Sequence, residues 1–172
     1  QLRKESDEEE EWLKQYCQEK GISFLSTREP IQEIHQTSLQ SSLEAVARER
    51  RYHWLLEQVK HFSFTKIATA HTATDQVELV LMRLIRGGVS GLGGMKPFHE
   101  LKGCPVIRPL LSIKRSQIQE YLEVHHVPYR EDPSNDELHF FRNRVRHTLL
   151  PLLRQENPKI ETHVTELCEY LQ

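Results

Sequence analysis

Apolar positions recur at helical spacing along most of the chain, and short apolar runs between those stretches read as strands. Trp12, Leu13, Tyr16 and Cys17 form one stripe of a helix that ends at Gly21, the expected left-handed stop. The acidic run Asp7–Glu11 suits its first turn, and Ser6 with Glu9 three residues on reads as a capping box. Ile22–Ser26 then reads as a strand and the polar residues 29–41 as a loop. Ser42 opens a helix with the stripe Leu43, Val46, Ala47, Leu55, Val59 and Phe62, and Lys66–Ala70 is a second strand. Thr74 can cap a third helix running to about Arg86. Its Leu79, Val80, Leu81, Met82, Leu84 and Ile85 are apolar nearly all round, which predicts burial on several sides, and Gly87 ends it.

Val106–Leu111 gives a third strand, and Ser112 or Ser116 opens a helix carrying Ile118, Tyr121, Leu122 and His125. Such alternation of strand and helix argues for right-handed crossovers and a parallel sheet with helices on both faces. After a loop at Pro128–Asp136, a helix from about Phe140 is expected to be interrupted by Pro151, because proline lacks the N–H a helix needs. A last helix after Pro158 repeats Ile160, Val164, Leu167 and Leu171 at heptad-like spacing. The expected division is a main α/β domain over residues 1–150 and a helical extension or linker over 151–172.

Composition narrows the class. Lys and Arg number 23 against 25 Asp and Glu, and no apolar run approaches the roughly 20 residues of a membrane span. The cysteines Cys17, Cys104 and Cys168 are far apart and form no C-x-x-C, so neither a zinc site nor a redox pair is indicated, and a reducing, cytoplasmic setting fits. Charge is unevenly spread. Residues 79–99 and 138–154 contain no acid, yet carry Arg83, Arg86, Lys96, Arg142, Arg144, Arg146 and Arg154, which suggests an anionic partner.

In open parallel sheets the ligand crevice lies beyond the carboxyl ends of the strands, which directs attention to His71-Thr-Ala-Thr-Asp75-Gln-Val-Glu78 after the second strand. Asp75 and Glu78 share a helix face there, able to hold magnesium or a cationic substrate, or else to act as dipole partners of a first turn. His71 is a candidate for the same site or a satisfied buried histidine. Five of the seven glycines, Gly87, Gly88, Gly91, Gly93 and Gly94, fall in one loop, a place of close ligand approach or a hinge. Farther on, Asp132-Pro-Ser-Asn135 precedes Arg142-Asn143-Arg144-Val-Arg146. Arg142 and Arg146 lie one turn apart and can clamp phosphate with two guanidinium forks, or close a salt-bridged loop-to-helix junction.

Taken in order, ATAHTATDQVELVLMRLIRGGVSGLGGM, IRPLL, YREDPSN and FFRNRVRHTLLPLL resemble the motifs of the tRNA(Ile)-lysidine synthetase family, and LEAVARERRY at Leu43–Tyr52 resembles a helix of that family. The resemblance implies an N-type ATP pyrophosphatase, a Rossmann-like fold of the adenine nucleotide alpha hydrolase kind that binds ATP and magnesium. It implies a ligase that adenylates the wobble cytidine of isoleucine tRNA with a CAU anticodon and lets free lysine displace AMP. A homodimer is compatible with it, and no membrane is involved. His71, Asp75 and Glu78 correspond to the adenylation and lysine site. Gly87–Gly94 corresponds to a flexible loop over it, with Arg83 and Arg86 approaching phosphate or tRNA. Asp132, Asn135, Arg142, Asn143 and Arg146 match residues contacting nucleotide or anticodon; which residues hold metal is unknown.

Two departures stand out. The family usually has a second acid just before the Asp-Gln pair, where this chain has Thr74. The glycine- and serine-rich phosphate loop of SGGxDS type does not occur in these residues. The expectation is therefore a catalytic domain incomplete at its N-terminus. The alternative is a non-catalytic tRNA-binding or regulatory domain that kept the fold and lost that loop. A sulfur-inserting relative would need paired cysteines.

Overall fold

The computed structural model describes residues 5–37, 42–88, 91–130 and 137–172, and the chain divides into two compact units, Gln1–Phe64 and Thr65–Gln172. The regular elements of the first unit are all helices among its described residues, joined by irregular chain over residues 20–30. Helix α1 (Glu5–Glu19) begins before Ser6, so the capping box expected there is not its start. It ends as expected: Gly21 has φ +66°, its N–H reaches Gln18 O, and Ile22 N–H reaches back to Cys17 O at 2.8 Å, a Schellman closure. Residues 22–26, expected as a strand, pair with no strand among the described residues. The segment expected as loop contains helix α2 (Ile31–Thr37), entered behind Pro30, which packs on α3 (Leu43–His61). Ser42 caps α3 as the sequence indicates, its hydroxyl accepting from Ala45 N–H at 3.2 Å.

The second unit holds the sheet. Strands β1 (Ile67–Ala68), β2 (Phe98–Leu101) and β3 (Cys104–Ile107) lie in the order β1-β3-β2. β1 and β3 are parallel, Ile67 opposite Val106, as a crossover requires. β2 and β3 are antiparallel, so the sheet is mixed rather than purely parallel. The hairpin between them turns through Lys102 and Gly103, both at positive φ, which suits the right-handed twist of its strands. Its strand β2 escaped the sequence reading because Phe98-His-Glu-Leu is half polar and half exposed. β3 ends sooner than expected because a turn closes there, Leu111 N–H bonding back to Arg108 O.

Between β1 and β3 runs α4 (Ala73–Ile85), the spine of this unit. Val77, Val80, Leu81 and Met82 pack with Val145, Leu150, Val164 and Cys168 in one core. Each such side chain contributes about 1.5–3 kcal/mol on burial. Only part of α4 is surrounded, since Leu84 and Ile85 at its end are more than half exposed. Helix α5 (Arg115–Val124) follows, capped from Lys114 rather than from a serine.

The chain then forms α6 (Phe141–Arg144), a π-helical turn (Val145–Leu149) and α7 (Leu150–Glu156) without a break. Pro151 does not interrupt this run. In a regular helix its ring would press on the carbonyl four residues back and its missing N–H would orphan that group; the wider turn just before it, with Leu150 N–H bonded to Val145 O, relieves both. Helix α8 (Ile160–Tyr170) packs on α4, so residues 151–172 share the core of this unit. Its buried stripe is Val164 and Cys168, while Leu167 and Leu171 are more than two-fifths exposed.

Candidate active site

Backbone pairing carries β1 directly into the crevice segment. Thr69 N–H bonds Ile107 O, the chain passes His71, and α4 starts with Thr72, not Thr74, as its cap. Thr72 Oγ1 accepts from Asp75 N–H at 3.3 Å while the Asp75 carboxylate accepts from Thr72 N–H at 2.8 Å, a reciprocal capping box that fixes Asp75 in the first turn. Thr74 is buried, and its hydroxyl faces Arg115 N–H at 3.5 Å. His71 is half-buried, with Nδ1 2.9 Å from the Thr69 hydroxyl.

From α4 the two carboxylates meet the two arginines that the sequence reading treated as a separate constellation. Arg142 Nε donates to Glu78 Oε2 at 2.7 Å, and its Nη2 donates to Asp75 Oδ1. Arg146 Nε donates to Glu78 Oε1 at 2.5 Å and its Nη2 to Oε2 at 3.1 Å. Glu78 is wholly buried. A carboxylate without water is tolerable only with such charge-assisted bonds on both oxygens. Exposure rises across the cluster: the Glu78 side chain is 0% accessible, Arg146 17%, Asp75 20% and Arg142 35%. Asp75 and Arg142 are its open edge, Glu78 its root.

This arrangement bears on the chemistries that the sequence leaves open. Each carboxylate already carries arginine donors, so the pair as it stands does not fit a magnesium ion, and no group of three or more metal-ligating side chains occurs among the described residues. The arginines in turn are partly neutralised, so a phosphate clamp built from both forks at full charge does not fit either. The carboxylate pair and the arginine pair form one four-membered cluster.

The remaining expected residues divide. Asn143 is buried and donates to Glu137 O at 3.0 Å, holding the entry to α6. Arg83 turns onto the glycine loop, Nη1 donating to Gly91 O and, at 3.4 Å, toward Gly94 O. Gln76, which the sequence reading passed over, grips the loop's exit: Met95 N–H donates to Gln76 Oε1 at 2.6 Å and Gln76 Nε2 donates to Met95 O at 3.0 Å. Gly94 has φ +68°, and a Cβ there would stand 2.6 Å from the Gln76 amide, so only glycine fits. Gly87, Gly88, Gly91 and Gly93 lie between α4 and that anchor. Arg86 caps the end of α4 and lies over the Phe141 ring, 4.9 Å from its centre. Asp132 and Asn135 lie outside the described residues.

One buried charge was missed. Arg108, after β3, is 6% exposed, donates from Nη1 to Lys96 O at 2.6 Å and faces His99 Nδ1 at 3.2 Å; its Nε has no partner among the described residues. A lone arginine within an apolar run, Val-Ile-Arg-Pro-Leu-Leu, was the available signal. The thiols are unpaired, and burial pushes that of Cys168 up, with Arg83 acting weakly the other way. No helix of the described residues is long and apolar enough to cross a membrane.

Comparison with known proteins gives a consistent set of likenesses. The PP-loop domain family ATP_bind_3 matches residues 1–171. The bifunctional protein TilS/HprT of Listeria monocytogenes serovar 1/2a is 39% identical over 170 residues, 98% of this chain and 26% of that protein. The tRNA(Ile)-lysidine synthase of Lactiplantibacillus plantarum is 35% identical over 99% of this chain and 37% of that enzyme. That of Geobacillus kaustophilus is 35% identical over 98% of this chain and 36% of its own length. The chain thus spans between 26% and 37% of these relatives. Among solved structures, the U34-tRNA thiolase NcsA from Methanococcus maripaludis superposes with a TM-score of 0.66 at 19% identity, over 91% of this chain and 53% of that one, a likeness of fold.

Proposed function

Because this chain belongs to the PP-loop domain family, we propose that it is the greater part of the catalytic domain of a tRNA(Ile)-lysidine synthase. The protein carrying it uses ATP to adenylate the wobble cytidine of isoleucine tRNA, and free lysine displaces AMP. The observation that carries this reading is the convergence of Asp75 and Glu78 with Arg142 and Arg146, from segments more than 60 residues apart, beyond the carboxyl end of β1. The similarity to tRNA(Ile)-lysidine synthases supports the same substrate.

In this reading the residues have unequal duties. Glu78 touches no substrate; buried beneath two guanidinium groups, it positions them. Asp75, at the open edge and bonded to Arg142, receives the ammonium end of lysine and aims the attacking amine. The exposed side of Arg142 faces the charge that develops as AMP leaves. His71, on the segment that leads from β1 into α4, takes the proton the amine sheds. Arg83 holds the glycine loop at Gly91 and Gly94, Gln76 holds its exit at Met95, and Arg86 faces RNA. Magnesium is given no ligand among these residues. A reducing, cytoplasmic setting agrees with three unpaired thiols.

The test is lysine-dependent AMP release from ATP with unmodified isoleucine tRNA, using the complete protein. Asp75→Asn keeps the capping geometry and removes the charge, so the rate should fall at least about a hundredfold, the usual scale for a lost catalytic contact. An unchanged rate would remove Asp75 from the chemistry. RNA binding without any AMP release would favour the non-catalytic domain instead.

A further inference from the structure

The second unit carries a basic and aromatic patch outside the cluster of Asp75, Glu78, Arg142 and Arg146. The two acid-free basic segments, 79–99 and 138–154, meet at Phe141: Arg86 from the end of α4 lies 4.9 Å from its ring centre and Arg144 from α6 lies 5.5 Å from it. Both arginines are exposed. Arg86 has no carboxylate partner among the described residues, and Arg144 spends only Nη1, on the carbonyls of Leu138 and His139. Most other arginines of these segments are engaged: Arg83 with the glycine loop, Arg142 and Arg146 with Asp75 and Glu78, Arg154 with Glu161.

Beside them, the rings of His139 and Phe140 meet at a tilt of 41° with centres 3.8 Å apart, and Phe140 is 47% exposed although it is large and apolar. Glu137 lies at the edge, 3.4 Å from His139 Nδ1. An exposed ring pair next to two cations, in the turn that leads into the helical run carrying Arg142, matches what an unpaired nucleotide needs: an aromatic face for the base and fixed positive charge for its phosphate.

We propose that His139, Phe140, Arg86 and Arg144 form a docking surface for an unpaired stretch of the substrate RNA, one base stacking on Phe140 and flanking phosphates held by the two arginines. This rests on the reading of the substrate given above. The patch adds Arg144 and the ring pair to the residues that the motifs pointed to, and assigns them to RNA rather than to ATP or lysine.

Binding of the complete protein to two RNA probes tests this: a stem-loop with the CAU anticodon loop of isoleucine tRNA, and a blunt duplex of equal length. Phe140→Leu, which keeps the apolar bulk, and the double variant His139→Ala/Phe140→Ala should each weaken stem-loop binding about tenfold and leave duplex binding unchanged. Arg86→Gln and Arg144→Gln should each lower the slope of log affinity against log salt by about 0.7. Unchanged stem-loop affinity in both aromatic variants, or an equal loss on both probes, overturns the proposal. Lysine-dependent AMP release by the unsubstituted protein separates the two readings. If release is absent while Phe140 still governs loop binding, the enzyme assignment fails and the surface stands; if release is present and Phe140 is silent, the surface fails.

Discussion

Two ion-pair clusters in this chain use the same chemical groups and differ in the water that reaches them. In the first unit Arg28 bonds Glu10 at 2.6 and 3.0 Å and Asp7 at 3.0 Å, with half of its side chain accessible, and Arg50 grips Glu29 beside it. In the second unit Glu78 sits at 0% exposure under Arg142 and Arg146. The exposed pairs are screened by solvent and salt and hold little more than the local path of the chain. The buried cluster behaves as one object. Its charges balance only if all members are present, and removing one leaves the others stranded without water. The buried cluster therefore has an all-or-none rigidity that the surface pairs lack.

The largest effect expected of this contrast is at Glu78. Glu78→Gln keeps the shape and deletes the charge beneath two guanidinium groups, so urea unfolding should reveal a loss of about 3–5 kcal/mol, together with loss of lysine-dependent AMP release. A loss below about 1 kcal/mol would place this cluster in the same category as the Arg28 pairs and break the comparison.

An intermediate case is the neutral grip of Gln76 on Met95. Gln76→Leu fills the same space but leaves the Met95 N–H without its acceptor, a cost of about 1–3 kcal/mol by urea unfolding. If the cost matched that of Glu78→Gln, desolvation of any polar group, and not of charge, would set the scale.

The smallest effect is at the exposed end. Hydrogen bonds from Ser26 first, then Arg28, hold the Glu10 carboxyl below its usual range. A carboxyl lowered in the folded state stabilises above the ordinary carboxylate range, and that contribution disappears as pH falls through the lowered value. The Glu10 side-chain carbon signal in an NMR titration should therefore move at lower pH than that of a free glutamate, and Ser26→Ala should bring it back toward the ordinary range. A Glu10 midpoint indifferent to Ser26 would show that the bond does not persist in water.

The sequence made some of this legible. Local punctuation was read correctly where one residue decides the geometry: Gly21 and Gly87 at positive φ stop α1 and α4, and Ser42 caps α3. The parallel strand pair followed from alternation. Features that depend on a distant partner were not legible. Residues 22–26 have strand-like composition but no neighbour to pair with among the described residues. Strand β2, half polar, exists because β3 lies beside it. The cap of α4 went to Thr72 because Asp75 reciprocates with it, where spacing alone suggested Thr74. For the site, each half was found and the pairing was not. Asp75 with Glu78, and Arg142 with Arg146, are each visible as a spacing on one helix, while their union spans 64 residues and is a property of the fold.

The π turn at Val145–Leu149 sets a phase as well as accommodating a proline. Every residue in a regular helix advances the chain by about 100°, so one residue absorbed in a wider turn shifts all that follows by nearly a third of a revolution. Upstream of it, Arg142 looks toward the carboxylates of α4; downstream, Leu150 looks into the core with α8. A uniform helix of the same length could satisfy one of these orientations at the expense of the other. The turn is the gear between the arginine–carboxylate cluster and the packed core, and a residue inserted or deleted there would misalign the two even with every side chain intact.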